Sequence, residues 1–207
     1  MPGVLLALTI VSAVLDWVSR LRHMPRLEVV TKPLTTVLVI GLALVGDAPT
    51  AQRVVGVVAL VLCLVGDIVL MPVIDKFVIG LASFLLGHVV FVVLFAQYGF
   101  DRWWLGAVAL AATVLLVATV GRRIVTAAGT HDAALKVPVA AYLTVISVMT
   151  ITGWATGMLL VVLGSTLFVI SDSILGWARF VQSRGWMSVA IMVTYHGAIA
   201  LLALSLW

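Results

Sequence analysis

Two aspartates stand inside runs of residues that otherwise belong in hydrocarbon. Asp67 lies in Leu64-Val65-Gly66-Asp67-Ile68-Val69-Leu70-Met71, directly after the apolar stretch from Val54 to Leu64. Asp172 lies in Ser171-Asp172-Ser173-Ile174-Leu175, where the same order returns: a small residue, Asp, any residue, an aliphatic, Leu. A carboxylate held in lipid costs at least ~2.5–3.5 kcal/mol, so an intramembrane aspartate points to function. The competing reading is a structural hydrogen-bond acceptor, or a partner for a snorkelling Arg or Lys. Two carboxylates at similar depth on different helices favour chemistry. If they share one pocket, mutual repulsion and desolvation leave one protonated and one ionised near neutral pH, which is an acid/base pair.

Other polar side chains fall at comparable depth. His88 follows Gly87, a residue that permits close helix approach. Tyr142, Tyr195 and His196 lie within the sixth and eighth apolar segments, and Ser171 adjoins Asp172. Each is a candidate pocket residue, although an intramembrane His or Tyr also serves as a hydrogen-bonded packing group. Lys32 opens Lys32-Pro33-Leu34-Thr35-Thr36 and reads either as a juxtamembrane charge or as a phosphate-binding group at the pocket mouth. A zinc site from His88, His196 and an Asp lacks any supporting His or Cys spacing. Asp16 reads as an interfacial charge; Asp47, Asp75, Asp101, Asp132, His23 and His131 read as loop or cap residues. Gly-rich phosphate loops, nucleophile elbows and nucleic-acid patches are absent from the sequence.

The elements that must position these groups follow from composition. The 207 residues are 64% hydrophobic and 10% charged, with a mean hydropathy of +1.29. Soluble domains carry roughly 25% charged residues, so the fold class is all-α, a polytopic membrane bundle forming a single domain over 1–207. A span needs roughly 17–25 apolar residues. Eight segments meet or approach this: 3–19, 30–46, 54–72, 77–98, 103–121, 136–153, 155–178 and 186–206. The first lacks a basic leader and a small-residue exit, so it reads as a span and not a signal peptide. Gly121 to Lys136 reads as a loop, and Thr152-Gly153-Trp154 as the turn between spans six and seven. Tryptophans at 17, 103, 104, 154, 177, 186 and 207 form an aromatic belt. Cys63, the single cysteine, rules out an intrachain disulfide.

Basic residues give an orientation. Arg20, Arg22, Arg26, Lys32, Lys76, Arg122, Arg123, Lys136, Arg179 and Arg184 fall in odd-numbered loops, against Arg53 and Arg102 in even-numbered ones. The positive-inside rule then puts both termini outside, and the reading is an integral protein of the cell inner membrane. Asp172 would sit on the order of 10 Å in from the cytoplasmic end of its span, so the site faces the cytoplasmic leaflet. A faint internal repeat also suggests itself. Lys32 precedes Asp67 much as Lys136 precedes Asp172, and His88 and His196 follow at similar intervals. That pattern describes two parallel halves of four spans, with each lysine near a proline in a helix's first turn.

The ordered set of motifs resembles the lysoplasmalogenase (YhhN-like) family of membrane proteins. The matching pieces are Lys32-Pro33-Leu34, Gly66-Asp67-Ile68-Val69-Leu70-Met71, Phe84-Leu85-Leu86-Gly87-His88, Tyr142-Leu143 to Met149, Phe168 to Leu175, and Thr194-Tyr195. They cover essentially the whole chain. Phe91, where a Tyr is common, and Gly197-Ala198-Ile199, where a Gln is frequent, depart from the pattern.

The resemblance implies hydrolysis of the vinyl ether bond of lysoplasmalogens, or of a related lysophospholipid ether, to a fatty aldehyde and a glycerophospho-base. Asp67 and Asp172 would be catalytic, with Asp172 the deeper acid and Asp67 the base. Lys32, His88, Tyr142, Ser171, Tyr195 and His196 would line the substrate pocket. The expected partners are the lysophospholipid substrate and membrane lipids, with no nucleic acid, no metal and no organic cofactor. Two other readings differ in class. One is a lipid or small-molecule carrier without hydrolysis, which the repeat favours and the one-sided polar groups disfavour; the other is a zinc-dependent amidase.

Overall fold

The structure is a computed structural model that describes residues 2–207. Every regular element among them is helical: α1 (Pro2–Leu21), α2 (Pro25–Leu44), α3 (Thr50–Val69), α4 (Phe77–Tyr98), α5 (Trp103–Leu116), α6 (Arg122–His131), α7 (Lys136–Thr156), α8 (Leu159–Phe180) and α9 (Met187–Leu204). Eight stretches, with α5 and α6 counted as one, are long and apolar enough to cross a membrane. With the hydrocarbon exposed on their outer faces, as at Val4, Leu115 and Leu159, they describe an integral membrane protein whose polar groups turn inward.

The helices pack as neighbouring pairs, α1 along α2, α3 along α4 and α8 along α9, with α4 and α5 both against α7. Small residues bring the site-bearing helices together. A Cβ on Gly66 of α3 would fall 2.5 Å from the Phe84 ring of α4, and one on Gly80 would fall 2.5 Å from Leu70. Hydroxyls join α1 to α2, where Ser12 Oγ and Thr35 Oγ1 are 2.8 Å apart. The interior is aromatic: the His88 ring meets Phe168 edge-on at 4.6 Å, and Phe168 meets Tyr195 at 5.6 Å.

Three sequence expectations need correction. The second helix begins at Pro25, with Pro at its first position and Glu28 in its first turn, so Lys32-Pro33 lies inside the helix and not at its start. Hydropathy located the apolar part of that helix, whereas helicity extends into the charged Arg26–Glu28 segment. Gly121–Lys136 is not a loop. The chain passes through a π-helical turn, Val117–Gly121, into α6 and then a 3-10 turn, Ala133–Leu135. The turn after α7 is at Gly157, whose φ of +71° suits glycine. Gly153 stays helical and lets α8 approach, with Ser165 Oγ 2.8 Å from where its Cβ would be.

The four-plus-four repeat finds no support at its lysines. Lys32 is buried against Asp67, whereas Lys136 is exposed.

Candidate active site

Asp67 and Asp172 line one cavity. It has a volume of about 240 Å³ and is bounded by Lys32, Phe84, Ser171 and Tyr195 at its inner part, with Arg20, Glu28 and Ser188 toward its mouth. The mouth residues come from the end of α1, the start of α2 and the start of α9, joined by Met71 and Pro72 from the α3–α4 connection and Ser183 from the α8–α9 connection. The cavity therefore lies at the end of the bundle that carries the odd-numbered loops.

The two carboxylates have unlike surroundings. Asp67, in the last turn of α3, is 1% exposed. Its Oδ2 accepts hydrogen bonds from Thr36 Oγ1 at 2.6 Å and Tyr195 Oη at 2.7 Å. Its Oδ1 lies 3.3 Å from Lys32 Nζ, an ion-pair contact, and the same ammonium donates to the Asp67 backbone carbonyl at 3.4 Å. Lys32 and Thr36 are one helical turn apart, so one face of α2 supplies both groups.

Asp172 accepts a hydrogen bond from the Tyr142 hydroxyl, and His88 Nε2 stands 3.8 Å from its Oδ2. No Lys or Arg pairs with it among the described residues. Asp172 is two turns or so further from its helix end than Asp67, yet its side chain is the more exposed to the cavity, at 8%.

The remaining expected residues separate into three groups. Tyr195 and Ser171 line the cavity; the Ser171 hydroxyl donates to the Ile191 carbonyl of α9 at 3.0 Å and so also ties two helices together. Tyr142 and His88 stand behind Asp172. His88 is fully buried, and neither of its ring nitrogens has a hydrogen-bond partner among the described residues. His196 is not brought to the cavity. Its Nδ1 accepts from Trp17 Nε1 of α1 at 3.1 Å, because a helix that points Tyr195 inward rotates the next residue toward another neighbour. Lys32 does not stand free at the mouth; it is 7% exposed and committed to Asp67.

Sequence reasoning missed a second polar network. Asp16, read from the sequence as an interfacial charge, is fully buried within the protein. It accepts from Thr31 Oγ1 at 3.1 Å and pairs with Arg20 Nε at 3.3 Å. Arg20 also pairs with Glu28 at 2.8 Å and donates to Ser188 Oγ at 3.1 Å. The signal was present as Asp16 and Arg20 four residues apart on one helix face. The role of Thr36 was legible in the same way, from its spacing to Lys32. Among the described residues, no three His, Cys, Asp or Glu side chains converge as metal ligands.

The model of the YhhN family matches residues 27–206. The chain belongs to the YhhN family, the lysoplasmalogenase family. No curated protein and no solved structure matches it. The YhhN match includes Asp67, Asp172 and both of their tyrosine partners. Helix α1, with Asp16, Trp17 and Arg20, precedes the matched residues.

Proposed function

We propose that this YhhN protein hydrolyses the vinyl ether bond of a lysoplasmalogen, or of a closely related lysophospholipid ether, releasing a fatty aldehyde and a glycerophospho-base. The observation that carries the reading is the pair of carboxylates on one cavity, one paired with an ammonium and one with no Lys or Arg partner among the described residues. Lys32 favours Asp67 as the ionised carboxylate. Asp172, half-buried beside the His88 ring and bonded to the Tyr142 hydroxyl, suits the neutral acid.

Vinyl ether cleavage needs both forms. The Asp172 carboxyl protonates the β-carbon of the alkene, leaving an oxocarbenium ion beside two carboxylates. Water attacks the carbon attached to the ether oxygen while Asp67 takes its proton, which gives a hemiacetal. On collapse, Asp67 returns that proton to the departing glycerol oxygen, and the hemiacetal hydroxyl proton passes to Asp172. Aldehyde and alcohol leave, one water is consumed, and both aspartates regain their starting forms. Paired carboxylates cleave glycosidic acetals by a related division of labour. The residues invoked supply the proton transfers and charge stabilisation without a metal or organic cofactor.

The lipid phosphate would meet Arg20, which lines the mouth, by replacing Glu28 as a partner of its guanidinium while the pair with Asp16 is kept. By the distribution of basic loop residues the mouth would face the cytoplasmic leaflet, with both termini outside. Purified protein is expected to release aldehyde from a lysoplasmalogen. Asp67→Asn and Asp172→Asn should each lower the rate by about 10²–10⁴-fold, the usual contribution of a general acid or base. Full activity in either variant overturns the mechanism, and transport of intact lipid with no product would instead indicate a carrier.

A further inference from the structure

Asp172 borders two cavities. Beyond the first lies a smaller chamber of about 40 Å³, and Leu70, Phe84 and Leu175 line both. Apart from Asp172 and Tyr142, every side chain lining this second chamber is hydrocarbon, including Phe77, Leu81, Ile124, Leu143 and Phe180. The acid thus borders one cavity with charged residues in its lining and a second lined almost wholly by hydrocarbon.

Helix α6 supplies Ile124 to the wall of that space. It buries Ile124 and Ala128 against Val139 in a cluster separate from the main core, while Arg122 and Arg123 stay exposed. It is bounded by the π-helical turn Val117–Gly121 and the 3-10 turn Ala133–Leu135, both weaker than regular α-helix. Gly176 of α8 lets α6 pack close: a Cβ there would lie 3.2 Å from Ile124 Cδ1.

We propose that this chamber binds the alkyl chain of the lysolipid, which runs from Asp172 under α6. The inference rests on the function proposed above and deepens it. With the phosphate at Arg20 and the reacting bond at Asp172, the apolar side chains that line both cavities, Leu70, Phe84 and Leu175, mark a path for the chain. A volume of about 40 Å³ holds only the first carbons, so a long chain displaces Ile124 and moves α6 outward about its two bounding turns. Chain-length preference is then set by Gly176, Ile124 and Leu143 and not by the mouth.

The primary test is photolabelling of the wild-type protein in micelles, using a lysolipid with a diazirine in the first half of its chain. Label mapped to α6 and to Leu81, Leu143 or Phe180 is expected. Label confined to the lipid-facing outer surface or to the α8–α9 connection would overturn the proposal. This readout needs no turnover, so absence of aldehyde from every substrate would reject the proposed reaction without deciding the chain site.

Chain-length dependence gives a second measurement. Each methylene excluded from an apolar site weakens binding about fourfold. Gly176→Leu, or Leu143→Phe if the first does not fold, should therefore weaken use of a long-chain substrate by about fifteenfold for two excluded methylenes. A short-chain substrate should be spared. An equal loss on both substrates refutes the assignment.

Discussion

Replacing Lys32 with methionine isolates the feature that distinguishes the two carboxylates. Lys32 Nζ and Asp67 Oδ1 are 3.3 Å apart, and their side chains are 8% and 1% exposed. At an effective dielectric of about 20, unit charges at that separation attract by roughly 5 kcal/mol. Methionine fills a similar volume, so the variant removes charge with little loss of packing. Breaking a buried pair from one side costs about 3–5 kcal/mol, because the remaining charge has no partner. Lys32→Met should therefore lower the melting temperature in detergent and reduce aldehyde release by about 10²-fold or more, as Asp67 can no longer act as an ionised base. Combining it with Asp67→Asn removes both charges, and the double variant should regain much of the lost stability without regaining activity. Thermal unfolding and aldehyde release on all four proteins form a double-mutant cycle. Additive losses of stability, or a Lys32→Met protein with normal turnover, would refute the ion pair as the basis of the site.

Further predictions concern the surroundings. Tyr142→Phe removes the hydroxyl bonded to Asp172 and should slow aldehyde release while leaving lysolipid binding intact, measured as kcat against KM. Arg20→Gln should raise KM for a phosphate-bearing substrate by about 10-fold or more, since hydrogen bonds to charged groups contribute about 1.5–3 kcal/mol; an unchanged KM removes Arg20 from head-group recognition. Trp17→Phe loses the bond to His196 Nδ1 and should cost about 1 kcal/mol of stability with turnover unaltered. Strong chelators should leave aldehyde release unchanged, and loss of activity reversed by a divalent metal would contradict the all-carboxylate chemistry.

The sequence by itself determined the kind of protein and the identity of its two aspartates. Hydropathy is a property of composition along the chain, so eight spans, their order and the anomaly of Asp67 and Asp172 are legible without a fold. Helical ends are less so. Pro25 starts α2 in a charged segment that hydropathy assigns to water, and α6 forms from residues too polar to be read as part of a span, because backbone hydrogen bonding does not stop where lipid does.

Rotation about each helix axis was decided only by the tertiary structure. In a soluble helix, an apolar stripe marks the buried face. Here lipid and core are both apolar, and no stripe tells that Tyr195 turns to Asp67 while His196 turns to Trp17. The same ambiguity hid the burial of Asp16 and the pairing of Lys32 with Asp67, for each needs the position of a second helix. Which carboxylate carries a cation is thus a property of packing, and the proposed division into acid and base depends on it.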